Sequence, residues 1–177
     1  MEYVLSQVFV TIYYFFVVVS YQMIDRKKIL LLNIASLFAV GISYFFLSAY
    51  SGLAMTCFGM VRNVMLYCDE KRTSISRVWE VVEPIILLSL LIALAIFSYS
   101  GILSLLPVAS TFIYTVSIWQ KNTKVYKLLG IPVGMTEISY NVYIKSVFGV
   151  IFEMCTFLSA VTGYIREYYA KSKKKRG

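Results

Sequence analysis

Apolar residues run through this chain in seven stretches separated by short polar links. The stretches are Val4 to Ile24, Ile29 to Leu47, Tyr50 to Cys68, Pro84 to Tyr99, Ile102 to Trp119, Tyr126 to Ile144 and Ser146 to Ile165. As helices rising ~1.5 Å per residue, they are long enough to cross ~30 Å of hydrocarbon. The longest polar link, Asp69 to Glu83, precedes the fourth and shortest stretch. Within that link Arg77, Trp79 and Glu80 suggest an interfacial helical turn, and Pro84 suits a first helical position. The pattern predicts an all-α polytopic membrane protein with seven spans in a 3+1+3 rhythm. It divides into a first triple-helix bundle over 1–68, a polar link and linker helix over 69–100, a second triple-helix bundle over 101–168 and a basic tail over 169–177.

The links also orient the chain. Arg26, Lys27 and Lys28 follow span one, Lys71, Arg72 and Arg77 follow span three, and Lys121, Lys124 and Lys127 follow span five. Arg166 and the tail Lys171, Lys173, Lys174, Lys175 and Arg176 follow span seven. The intervening links Ser48-Ala49, Ser100-Gly101 and Lys145 are nearly free of charge. Of 17 Lys and Arg, all but Arg62 and Lys145 therefore fall on one side, which the positive-inside rule makes cytoplasmic. The N-terminus is expected outside and the C-terminus inside. Trp79, Trp119, Tyr126 and Tyr168 read as anchors at the inner interface, and Tyr3, Tyr50, Tyr99 and Tyr143 at the outer one.

Composition agrees and removes other classes. The chain is 59% hydrophobic with mean hydropathy +0.74, and only 15% of its residues are charged. A soluble domain carries roughly a quarter. The net charge of +8 has no soluble segment large enough to present it to a nucleic acid, so the basic residues read as topology signals. The basic tail is either a contact to anionic headgroups or simply solvated. Three cysteines, Cys57, Cys68 and Cys155, make no disulfide framework, and the absence of histidine removes the usual zinc sites. Glu2 stands where a cleavable signal would be basic. No cofactor or metal is expected.

The 3+1+3 rhythm points to an internal repeat. At an offset of 97 residues the first three spans place Phe15 on Phe112, Ser20 on Ser117, Lys27 on Lys124, Leu31 on Leu128, Gly52 on Gly149 and Tyr67 on Tyr164. An offset of 96 places Ile42-Ser43-Tyr44 on Ile138-Ser139-Tyr140. A fourth span is what two such triplets need to keep the same orientation.

Few groups within the spans carry chemistry. Arg62 lies ~9 Å inside the inner end of span three. A charge there costs at least ~2.5 kcal/mol and faces a cavity or partner, or snorkels to the interface. Asn63 adjoins it. Glu137 and Glu153 sit at similar depths in spans six and seven, ~10 Å below the outer surface. An Arg62–Glu153 pair is geometrically plausible if spans three and seven face each other, and a protonated carboxyl is the alternative for either acid. Asn141 shares a helical face with Glu137. Asn33 and Thr56 fit the ordinary role of bonding to a neighbouring helix. Pro107 and Pro132 are hinge candidates within spans five and six.

Several of these residues resemble a known family. Leu105-Leu106-Pro107-Val108, Asn141, the run Ser146-Val147-Phe148-Gly149-Val150-Ile151-Phe152-Glu153, Tyr164-Ile165-Arg166 and the arginine in span three resemble the YgjV-like bacterial inner-membrane proteins over their full length. That family is placed near the SWEET and PQ-loop transporters. The resemblance implies two triple-helix bundles with a linker helix. For the SWEET relatives it also implies sugar facilitation between asparagines of spans three and seven. Asn63 fits the first of these, while Ala160 stands at the second. The proline-glutamine motif is missing, since span one ends Ser20-Tyr21-Gln22.

A transporter or facilitator of a small polar solute, working by alternating access in the bacterial inner membrane, is the leading expectation. Its substrate-path candidates are Arg62, Asn63, Glu137, Asn141 and Glu153. The alternative is a membrane protein with a sensor, assembly or structural role. An enzyme is not expected, because no histidine, Gly-x-Ser-x-Gly elbow or paired aspartate supplies acid–base or nucleophilic groups. No lysine within span seven supports a retinal site. The lipid bilayer is the expected partner, and uncovered helix surface is compatible with a homodimer.

Overall fold

The computed structural model describes residues 2–48, 50–71, 77–97, 105–143 and 145–174. They form seven helices: α1 (Glu2–Gln22), α2 (Arg26–Phe46), α3 (Tyr50–Lys71), α4 (Arg77–Phe97), α5 (Leu105–Trp119), α6 (Thr123–Tyr143) and α7 (Val147–Lys174). No strand occurs among the described residues. In hydrocarbon every backbone N–H and C=O must be satisfied within the segment, and a helix does this for each apolar run. The expected link Ser100-Gly101 and the residues Arg72, Tyr99, Lys175 and Arg176 lie outside the described residues.

Among the described residues α1 from Tyr3, α2 and α7 as far as Tyr169 are each long and apolar enough to cross a membrane. Val81–Phe97 and Leu105–Trp119 are shorter apolar helices. The other two, α3 and α6, carry Arg62 and Asn63 or Glu137 and Asn141.

Three boundaries differ from expectation. Pro84 is not a first helical residue; it lies inside α4, which begins at Arg77. A proline removes one ladder bond and costs a helix interior ~3 kcal/mol. The helix around it gains support where Trp79 Nε1 donates to Asp69 Oδ2 of α3 at 3.2 Å. Arg26, Lys27 and Lys28 form the first turn of α2 rather than a loop. Lys171, Lys173 and Lys174 continue α7 instead of forming a separate tail.

The turns are tight. Ser48 ends the α2–α3 corner with φ 53° and donates its N–H to Phe45 O at 3.1 Å. At the α6–α7 corner Lys145 takes φ 57°, and Ser146 N–H reaches Asn141 O at 2.9 Å. Ser146 then caps α7, its Oγ accepting from Gly149 N at 3.2 Å. Asn122 similarly caps α6 through Lys124 N at 3.1 Å.

The chain packs as two compact units, Met1–Val17 with Lys27–Tyr99 and Val18–Arg26 with Ser100–Gly177. In the first, Phe58 of α3 meets Leu87 and Leu91 of α4, flanked by Met55, Met65 and Leu94. Phe9 stacks on Phe46 at 6.2 Å, and Gly41 lets α2 approach Thr56 and Leu53 of α3. In the second, Gly134 lets α6 lie against Phe157 of α7, where an added Cβ would be 3.1 Å from Phe157 Cβ.

Both units reverse the usual amphipathic order. On α2, Asn33, Ser36 and Ser43 are buried while Leu31, Phe38 and Phe45 are exposed. On α7, Glu153, Thr156, Ser159 and Glu167 are buried while Phe148, Ile151, Met154 and Leu158 are exposed. Phe97 of α4 is 88% exposed. Water would penalise that arrangement, whereas lipid accepts the apolar side chains and forces the polar ones inward.

Candidate functional site

Packing marks set the register of α2 against α3 in the first unit. An added Cβ at Gly41 would meet Thr56 and Leu53, and one at Gly59 would lie 3.2 Å from Leu37. This antiparallel seam puts Asn33 level with Asn63. Across α3 and α4, Phe58 meets Leu87 and Leu91, which puts Arg62 level with Glu83. Asn33, Arg62, Asn63 and Glu83 thus share one layer, and all four are buried. Arg62 Cζ lies 5.6 Å from the centroid of the Phe58 ring, a position that stabilises a desolvated cation. Asn63 is 0% exposed, and neither its Oδ1 nor its Nδ2 has a hydrogen-bond partner among the described residues. Ser43, 0% exposed near the other end of the same seam, has a hydroxyl without a hydrogen-bond partner among the described residues.

The other substrate-path candidates lie in the second unit. Glu137 Oε1 is bonded to Ser110 Oγ of α5, and Ser110 Oγ also lies 3.0 Å from Pro107 O. Asn141 spends its Nδ2 on the carbonyl of Glu137 at 2.9 Å, and its Oδ1 fills the space that a Cβ on Gly149 would need. That makes Asn141 a fixed part of the α6–α7 corner. Beside it is an open depression of about 270 Å³ lined by Asn141, Lys145, Ser146, Val150 and Ile151. Glu153 is buried on α7. Because Gly134 meets Phe157 and Gly149 meets Asn141, Glu153 is level with Glu137, as their similar depth in the sequence implies. Arg62 and Glu153 belong to different units.

Pro132 lies inside α6, and one turn further on Thr136 Oγ1 donates to Val133 O at 2.8 Å and lies 3.1 Å from Pro132 O. Pro107 is the third residue of α5 as described, where a missing N–H costs little. Ser110 and Thr111 hydroxyls both reach its carbonyl.

The family model of the Imp-YgjV bacterial inner membrane proteins matches residues 4–171. The chain belongs to this family. It is accordingly a multi-pass protein of the bacterial inner membrane, and the reversed burial pattern of this YgjV-family chain has a physical cause in the lipid around it. Neither the curated proteins nor the solved structures offer a match.

Two features escape a reading of the sequence alone. Lys127, expected among the basic residues of an inner link, is 1% exposed on α6 and ion-paired with Glu167 of α7, 2% exposed, at 2.9 Å. Thr123 Oγ1 donates to the other carboxylate oxygen at 2.8 Å. The spacing of Thr123 and Lys127, one turn apart on one face, was the available signal. The second feature is a seat for the end of α1. Tyr21 stacks on Tyr126 at 4.9 Å, fits against Gly130 and places its carbonyl against Gly163. Ser20 Oγ and Tyr126 OH are 3.0 Å apart, and Gln22 Nε2 donates to Ser159 Oγ at 2.8 Å. Arg166 closes the end of α1 through Gln22 O, while Arg26 does the same for α5 through Gln120 O. Among the described residues no group of three His, Cys, Asp or Glu side chains is placed to hold a metal.

Proposed function

We propose that this protein moves a small polar solute across the inner membrane. The observation that carries the reading is Asn63, a fully buried amide whose two polar atoms have no hydrogen-bond partner among the described residues. An unsatisfied buried polar group costs ~1–3 kcal/mol, and an apolar residue would avoid that cost. A site that hydrogen-bonds a passing solute explains its retention. Ser43 supports this, as a second buried group without a hydrogen-bond partner among the described residues, ~15 Å along α2 from Asn33. In this reading all seven helices span the membrane with the N-terminus outside. Two triple-helix bundles, as in the SWEET-like transporters, alternate access, and bending concentrates at Pro107 and Pro132. Arg62, Glu137, Asn141 and Glu153 line or steady the path, and no step is enzymatic.

The test is solute-dependent stabilisation of purified protein across sugars, amino acids and small carboxylates. A ligand at ~100 times its Kd raises stability by ~2.7 kcal/mol. The expected result is a rise in unfolding midpoint for one class that Asn63→Ala abolishes. No shift with any class, or a shift untouched in Asn63→Ala, overturns the assignment. The second reading, a static assembly or sensor subunit, is favoured by the dense fixed contacts around Tyr21 and by the spent amide of Asn141.

A further inference from the structure

One end of the second unit gathers aromatic and basic residues from three helices. Trp119 closes α5, Lys121 is exposed in the next link, and Lys124 lies in the first turn of α6. Lys124 Nζ is 4.3 Å from the centroid of the Tyr168 ring and 5.5 Å from that of Tyr164, both on α7. Tyr168 and Tyr169 are exposed, and α7 then continues as a helix through Lys171, Lys173 and Lys174. The apolar part of α7 ends at Tyr169, so this end lies where hydrocarbon gives way to headgroups.

Within the second unit, basic residues outnumber acidic ones at this end. Between Ser100 and Gly177 the acidic residues are Glu137, Glu153 and Glu167. The first two lie far along α6 and α7, and Glu167 is already matched by Lys127. Asp25 at the end of the nearby α1–α2 link and Arg26, the first residue of α2, balance each other in number. Lys124 itself rests on ring faces, which hold a cation in place without neutralising it. Tyr164 and Tyr168 add hydroxyls able to donate to a phosphate oxygen, and Lys171 follows Tyr168 by three positions on the same helix.

We propose that Lys124, held between Tyr164 and Tyr168, is the centre of a seat for an anionic phospholipid headgroup of the adjoining leaflet. The bilayer is favoured over a soluble anion because the seat sits at the apolar end of α7 among exposed aromatic rings, the position of an interfacial belt.

The test uses the full chain in nanodiscs of phosphatidylcholine, with and without phosphatidylglycerol, read by thermal unfolding. Phosphatidylglycerol is expected to raise the midpoint by ~2–4 °C, and Lys124→Gln to remove at least half of that rise. Lys124→Arg keeps the rise. In the wild-type chain ~1 M salt, which shortens the screening length to ~3 Å, erases it; this arm stands even if a variant fails to fold. Equal midpoints in the two lipids, or a full rise in Lys124→Gln, overturn the proposal. Inorganic phosphate added to phosphatidylcholine discs is expected to do nothing; if it reproduces the rise, the seat takes a free anion and the lipid assignment is wrong.

Discussion

Removing Lys127 tests how the second unit is held together. Its ammonium lies 2.9 Å from Glu167 Oε2, both side chains are almost fully buried, and Thr123 Oγ1 donates to the other oxygen of that carboxylate. Lys127→Met keeps the length and apolar stem of the side chain but removes the cation paired with a buried carboxylate. Breaking a buried pair from one side costs ~3–5 kcal/mol. For a chain of this size ~1 kcal/mol corresponds to ~2–4 °C, so the unfolding midpoint should fall by ~6–20 °C. The double variant Lys127→Met with Glu167→Leu removes both charges and should recover most of that loss, because apolar replacement of a buried pair is often neutral or better. A double-mutant cycle by thermal unfolding in one detergent gives the coupling directly. If Lys127→Met lies within ~1 kcal/mol of the wild type, the pair behaves as an exposed one and the reasoning fails.

The turns and close approaches give further outcomes. Gly163→Ala places a methyl group against the backbone carbonyl of Tyr21, which cannot rotate away, and should cost ~1–3 kcal/mol by the same assay. A midpoint equal to the wild type would mean that the Tyr21 seat is looser than drawn. Lys145→Gly relieves a left-handed backbone at the α6–α7 corner and should stabilise by ~1 kcal/mol, a gain that a normal φ at this position could not produce.

The helices were legible because lipid imposes a length on every apolar run, and the similar level of Glu137 and Glu153 on α6 and α7 followed from counting along those runs. Pro84 misled because a proline usually opens a helix, yet α4 starts a full two turns earlier and carries Glu83 into the layer of Arg62. Lys127 looked like one of several solvated cations near an interface. Its burial depends on how closely α6 approaches α7, where Gly134 meets Phe157, and on the room that Gly163 leaves for the Lys127 stem, and neither exists until the helices are side by side. The division of α1 between the two units at Val17 and Val18 falls within an unbroken apolar run, so no residue type marks it. Arg62 and Asn63 stood out as polar residues in a span. That the Asn63 amide has no hydrogen-bond partner among the described residues is a property of its neighbours, which a sequence does not show.

Asn63→Leu is therefore the most direct test of the transport account, measured for stability and for solute uptake in the same liposome preparation. If the amide is kept for a solute, leucine removes its burial cost of ~1–3 kcal/mol, and the variant should unfold at a higher temperature while uptake falls at least tenfold. A variant that unfolds at a lower temperature, or that transports as fast as the wild type, contradicts the account and makes Asn63 part of the scaffold.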